Sequence, residues 1–190
     1  NIPLDVCSER GIVVFNTPGA NANAVKELIL CSLLLSSRKV CEGIAWTASQ
    51  KGGDDFAALV EKNKSAFAGP EIMGKTLGVI GLGAVGAMVA NAAVSLGMEV
   101  YGFDPYISVD SAWGLNRNVH RAENMKTIFE KSDYITLHVP LNKETGGMID
   151  KNSIAVMKKG IRILNFSRGE LVNHDDIKEA VTDGRVSRYI

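Results

Sequence analysis

Cysteine is scarce. Cys7, Cys31 and Cys41 are the only three in 190 residues, and all fall in the first quarter of the chain. The count is odd and the spacings match no metal-binding pattern. That argues against a disulfide framework and for a reduced, cytoplasmic setting, with no metal among the expected cofactors. Neither sign of charge is in excess: Lys+Arg and Asp+Glu are both 21, a net charge of zero. A chain so balanced has no overall attraction for nucleic acid or another polyanion. Long apolar runs are missing too. The longest near the N-terminus, Leu28 to Leu35, is interrupted by Ser32 and is too short to cross a bilayer. No secretory leader is visible, so no membrane partner is expected. Sequence repeats and low-complexity tracts are also absent. What remains is a chain with 46% hydrophobic residues, enough for one sizeable core.

The informative stretch is Lys75 to Asp104, KTLGVIGLGAVGAMVANAAVSLGMEVYGFD. Thr76 to Ile80 is a short apolar run that suits a buried parallel strand. Gly81-Leu82-Gly83-Ala84-Val85-Gly86 follows as a full GxGxxG, and Ala84 to Leu96 is an apolar, proline-free segment that suits a buried helix. Gly97 ends that helix, and Glu99 to Phe103 reads as a second strand closing on Asp104. Each glycine has a task in a dinucleotide site. Gly81 allows the sharp strand-to-helix turn, Gly83 lets a pyrophosphate approach the backbone, and Gly86 lets helix and strand pack closely. The helix N-terminus offers free N–H groups and a positive dipole end to the phosphates. Asp104 stands where a carboxylate accepts hydrogen bonds from the adenosine ribose hydroxyls. It would repel a 2′-phosphate, so NAD is expected rather than NADP. A GxGxxG alone is weak evidence. Here the preceding strand, the following helix and the acid at the next strand end all agree.

Taken in order, Gly11 to Asn16 reads as a β-branched strand closed by the turn Thr17-Pro18-Gly19. Asn21 or Asn23 is the expected cap of a helix from Ala24 to Val40. That helix carries apolar residues on several faces, which suits a core or a subunit contact and gives a homodimer or larger assembly as the expectation. Phe56 to Lys64 reads as a helix, followed by a connector to residue 75. Pro105 to Asn118 reads as irregular. Then come a helix Glu123 to Lys131, a strand Tyr134 to His138, a helix Lys151 to Met157, a strand Ile161 to Asn165, a helix Asp175 to Thr182 and a strand from Val186 onward. The alternation implies an α/β fold: a doubly wound parallel sheet with helices on both faces. The chain begins at Asn1 without methionine and ends in what reads as a strand, so a piece of a longer protein is expected.

Ligands of such sheets gather beyond the carboxyl ends of the strands. Three strand ends therefore matter: Asp104, His138-Val139-Pro140 and Phe166-Ser167-Arg168-Gly169. Arg168 sits on a glycine-flanked turn. Its planar fork can hold a carboxylate through two parallel hydrogen bonds. Spacing alone equally allows a surface arginine in a turn.

Four segments in this order, GKTLGVIGLGAVG, YGFDPY, DYITLHVPLNKETGGMID and NFSRGELV, together with GIVVFNTPGANANAVKEL at the front, resemble the D-2-hydroxyacid dehydrogenases. The pattern is most like the members that oxidise 3-phosphoglycerate. The resemblance implies a Rossmann-type fold and NAD as cofactor, with residues 16–190 as the NAD-binding domain and residues 1–15 as the edge of a substrate domain. It implies that Gly81, Gly83, Ala84, Val85 and Gly86 meet the pyrophosphate and that Asp104 binds the ribose. His138, Val139 and Pro140 would line the adenine side, Thr145 in the following loop would also contact the cofactor, and Phe166 and Ser167 would touch the nicotinamide half. Arg168 would be both cofactor-adjacent and catalytic, binding a small 2-hydroxyacid or 2-oxoacid. The family's paired catalytic Glu and His would lie beyond Ile190. His138 belongs to the cofactor side, while His120 and His174 are expected to be solvated or capping. Other substrates, such as hydroxypyruvate, glyoxylate or another D-2-hydroxyacid, and an NAD-sensing corepressor role stay open.

Overall fold

The computed structural model describes residues 2–52 and 55–190. Four helices come first: α1 (Leu4–Glu9), α2 (Ala22–Arg38), α3 (Val40–Ser49) and α4 (Phe56–Asn63). The chain then alternates through β1 (Thr76–Ile80), α5 (Ala84–Ser95), β2 (Glu99–Phe103), α6 (Val109–Trp113), β3 (Val119–Arg121), α7 (Met125–Lys131), β4 (Tyr134–Leu137), α8 (Lys151–Val156), β5 (Ile161–Asn165), α9 (His174–Thr182) and β6 (Val186–Tyr189). The strands form one sheet in the order β3-β2-β1-β4-β5-β6, every pair parallel. This is the Rossmann-type arrangement expected from the alternation. The winding reverses between β1 and β4, which opens a crevice at their carboxyl ends.

Strand side chains alternate between two cores. Leu77 and Val79 of β1, Val100, Tyr134 and Leu164 pack with Ile29 and Leu33 of α2 and Val89, Ala90 and Ala93 of α5. Ile80, Ile135, Leu137, Ile161, Ile163 and Val186 pack on the other face with Ile128 and Phe129 of α7, Ile154 of α8, Met157 just after it and Ile177 of α9. Burying each such Leu or Ile contributes about 1.5–3 kcal/mol, so both faces are needed to hold the crevice-forming strands in register. Tyr134 is fully buried, and its hydroxyl meets Ser37 Oγ at 2.7 Å, which ties α2 to the sheet. Side chains cap the later helices. Asn124 accepts from the Thr127 N–H, Asn173 accepts from the Asp175 and Asp176 N–H groups, and Asp150 forms a reciprocal capping box with Ser153. The Ser153 N–H lowers the Asp150 pKa below the usual carboxylate value.

Several local expectations are corrected. Gly11 to Asn16 is not a strand: it pairs with nothing among the described residues, and Val13 and Phe15 are exposed. β-propensity without a neighbouring strand does not make a sheet. The helix expected over 24–40 starts two residues earlier and ends at Arg38, where Lys39 adopts a left-handed conformation (φ 47°) and a separate helix, α3, begins. Asn21 occupies the cap position of α2, but its side chain makes no capping hydrogen bond. The stretch expected to be irregular contains α6, and the three-residue edge strand β3 follows it, so the sheet has six strands rather than five. A strand that short leaves too few residues for a periodic signal.

Candidate functional site

Gly81 turns the chain at the end of β1. Its φ of +92° is one that side chains rarely adopt, and a Cβ there would lie 2.7 Å from the His138 backbone. The turn is bonded on both sides: the Gly81 N–H donates to the Phe103 carbonyl (2.8 Å), and the His138 N–H donates to the Ile80 carbonyl (2.7 Å). α5 then starts without a side-chain cap, with Gly83 in the capping position. Its first N–H groups therefore have no partner within the helix and form its positive dipole end. A Cβ on Gly86 would come within 1.9 Å of the Gly81 carbonyl oxygen, whereas one on Gly83 would meet nothing within 4 Å. One glycine thus brings helix and strand together, and the other leaves the approach to the helix end open.

Asp104 is oriented by backbone donors. Its Oδ2 accepts from the Leu82 N–H inside the glycine turn, and its Oδ1 accepts from the Tyr106 N–H, both at 2.8 Å. The carboxylate is thus fixed against the turn before any ligand arrives, with lone pairs left for hydroxyl donors. On the other side of the crevice, His138 Nε2 lies 2.9 Å from Thr136 Oγ1. Burial pushes the His138 imidazole down to about 4, so it is neutral near pH 7 and places no cation under the positive end of α5. The loop after Pro140 is self-bonded: Thr145 Oγ1 donates to the Pro140 carbonyl (2.6 Å), and Asn142 Oδ1 accepts from the Glu144 and Thr145 N–H groups.

These elements enclose a cavity of about 420 Å³. Gly81, Gly83, Asp104, His138, Val139, Pro140 and Thr145, all singled out from the sequence, line it together. Ala84, Val85 and Gly86 form the first turn of α5 and do not line it. Phe166, Ser167 and Arg168 stand further along, past the end of β5. Phe166 packs on the α2–α5 core, and Ser167 Oγ donates to the Val139 carbonyl (3.2 Å), which fastens this turn to the cavity wall. Arg168 is exposed. It donates to the Ser167 carbonyl and has no acidic partner among the described residues. His120 is exposed beside the Tyr101 ring (5.0 Å), and His174 opens α9, both outside the cavity. Sequence reasoning missed Tyr106, Met125, Asn142 and Met148 as lining residues. The sign for Tyr106 was its place two residues after Asp104. Met125 looked like core, because helical periodicity does not distinguish a core from a cavity wall.

An uncapped helix end beyond a glycine turn, a fixed carboxylate and a cleft of this size suit the diphosphate and ribose of a dinucleotide. The class defined is a nucleotide-cofactor-binding α/β domain of the dehydrogenase type. Residues 30–190 match the family described as D-isomer specific 2-hydroxyacid dehydrogenase, NAD binding domain, and the chain belongs to that family. NAD, the cofactor expected from Asp104, is the one that description names. Among relatives, the D-3-phosphoglycerate dehydrogenase of Methanocaldococcus jannaschii is 37% identical over 186 residues, spanning 98% of this chain and 33% of that protein. The hydroxypyruvate reductase of Thermotoga maritima is 35% identical, over 98% of this chain and 56% of that protein. Among solved structures, apo D-lactate dehydrogenase from Escherichia coli superposes with a TM-score of 0.81 at 28% identity, over 100% of this chain and 55% of that one. D-lactate dehydrogenase from Aquifex aeolicus, complexed with NAD and lactic acid, gives a TM-score of 0.79 at 28% identity, over 99% and 53%. The chain thus spans from one third to just over half of the proteins it resembles.

Proposed function

We propose that this chain is the cofactor-binding part of an NAD-dependent D-2-hydroxyacid dehydrogenase. The observation that supports this most is the placing of Arg168, an exposed cation without an acidic partner among the described residues, on a turn fastened to the cavity wall through Ser167 and Val139. The backbone of Ala84 and Val85 would hold the pyrophosphate, Asp104 the adenosine ribose, and His138, Val139, Pro140 and Thr145 the adenine side. Phe166 and Ser167 would hold the nicotinamide half. Bound there, NAD would supply the hydride acceptor. Arg168 binds the substrate carboxylate through two parallel hydrogen bonds and polarises the oxygen at C2. None of this chain's histidines suits the proton acceptor: burial lowers the His138 pKa to about 4, which makes it a weak base, its Nε2 is engaged with Thr136, and His120 and His174 lie outside the cavity. We place that group, with its acidic partner, in the part that the relatives have and these residues do not include.

The substrate we favour is 3-phosphoglycerate, oxidised on the route to serine in the cytoplasm, because relatives of that name match nearly the whole chain. The Thermotoga maritima relative supports hydroxypyruvate as the second reading. Residues 1–15 are assigned to the domain boundary and 16–190 to the cofactor domain. Among the described residues no helix is long and apolar enough to cross a membrane. We also infer a homodimer through α2 and α3, since Ile29 and Leu33 are buried within the chain while Leu28, Leu34 and Ile44 are exposed. Sedimentation at two concentrations tests that. The function is tested by titrating NAD into these 190 residues and assaying oxidation of 3-phosphoglycerate and reduction of hydroxypyruvate on the same sample. Binding with little or no turnover is expected, and Arg168→Gln should leave NAD affinity within about twofold while abolishing turnover in the longer protein. Robust turnover by these residues alone would refute the assignment.

A further inference from the structure

We propose that the opposite end of the sheet carries a second ligand site, a pocket for a small phosphate-type oxyanion formed by Arg162, Lys75 and Lys159. Lys75 directly precedes β1, Lys158 and Lys159 lead into β5, and Arg162 is the second residue of β5. With Asp133, at the entry to β4, these side chains border a cavity of about 210 Å³. It lies at the amino ends of the strands, away from the glycine turn, and shares no lining residue with the cofactor cavity.

The charges there do not cancel. Asp133 is already engaged: Oδ2 accepts from the Thr76 N–H (2.8 Å), and Oδ1 pairs with Lys158 Nζ (3.1 Å). Glu99, the other acid near Thr76, is directed to the Thr76 and Tyr101 hydroxyls. Lys75 and Lys159 are exposed and form no ion pair among the described residues. Arg162 is half-buried. Its Nε donates to the Ser36 carbonyl at the end of α2 (3.1 Å), and its guanidinium lies over the Tyr134 ring at 5.2 Å. That accounts for one donor. The two terminal nitrogens donate to no described residue, and no carboxylate oxygen of a described residue lies within 4 Å of them. A guanidinium drawn partly out of water, set over an aromatic ring and left with a free donor edge is suited to a planar two-point contact with a phosphate. Lys75 and Lys159 add two mobile point charges at the rim.

Inorganic phosphate is the probe. It is titrated into the protein at constant ionic strength, with chloride as the control, and followed by calorimetry with and without saturating NAD. Saturable one-to-one binding that NAD does not displace is expected. Lys75→Ala, Lys159→Ala and Arg162→Gln should each weaken it about tenfold. The two lysines are exposed, so those variants test the site even if Arg162→Gln disturbs the fold. A simple phosphate monoester run in parallel shows whether the free ion or an esterified phosphate is preferred. Uptake no better than chloride, displacement by NAD, or affinity untouched in all three variants would overturn the proposal.

Discussion

The second and third glycines of the turn, Gly83 and Gly86, allow fold and ligand binding to be separated by a single methyl group each. At Gly83 the added Cβ meets nothing within 4 Å, and the residue's φ of −70° and ψ of −162° suit any side chain. Gly83→Ala should therefore leave stability within about 0.5 kcal/mol. The methyl would stand where the diphosphate approaches the helix end, so NAD affinity should fall at least tenfold, about 1.4 kcal/mol. At Gly86 the same methyl would sit 1.9 Å from the Gly81 carbonyl oxygen and 2.9 Å from its carbon, both backbone atoms that cannot rotate away. Overpacking of this kind costs about 1–3 kcal/mol. The better helix propensity of alanine returns up to about 1 kcal/mol, so the net loss is about 1–2 kcal/mol. For a chain this long that lowers Tm by roughly 2–8 °C. Thermal unfolding and NAD calorimetry on both variants decide the matter. The reasoning fails if Gly83→Ala binds NAD as wild type does, or if it destabilises the protein as much as Gly86→Ala does.

Asp104→Ala removes the acceptor of the Leu82 and Tyr106 N–H groups, so it should weaken NAD binding and narrow the NAD-to-NADP affinity ratio, read by paired titrations. His138 has a folded pKa of about 4, below its unfolded value of 6.5. Its contribution to stability is therefore complete above pH 6.5 and lost as pH falls toward 4. Urea unfolding should show about 2 kcal/mol lost through this group between pH 7 and pH 5, a loss missing in His138→Gln. Tyr134→Phe leaves Ser37 Oγ bonded to the Leu33 carbonyl, so it should cost only about 1 kcal/mol in the same assay.

From Thr76 onward most of the fold could be read from the sequence because β1, β2, β4 and β5 are largely apolar runs of four or five residues bounded by loop signals, whereas the three-residue β3 was too short to register. Thr76–Ile80 and Ile161–Asn165 were placed to the residue. The first part of the chain was harder to read. Gly11 to Asn16 has strand composition, yet a strand exists only where another pairs with it, and none does here among the described residues. The break at Lys39 depends on a left-handed residue that composition does not announce. In the site, Gly81 and Gly86 were evident because a positive φ and a close backbone approach require glycine, and Asp104 because it closes the strand that follows the glycine turn. Tyr106 and Met148 were not, since a wall needs only apolar surface that many residues supply. The pairing of Asp104 with the Leu82 N–H was also hidden, because 22 residues separate them in the chain.

The proposed function rests most on the glycine turn and Asp104 serving one dinucleotide. A structure of the protein with NAD bound tests this directly. We expect the diphosphate beside Gly83 against the first N–H groups of α5, and the adenosine ribose hydroxyls on the Asp104 carboxylate. NAD seated elsewhere, or a cavity that takes up no dinucleotide at saturating concentration, would contradict it.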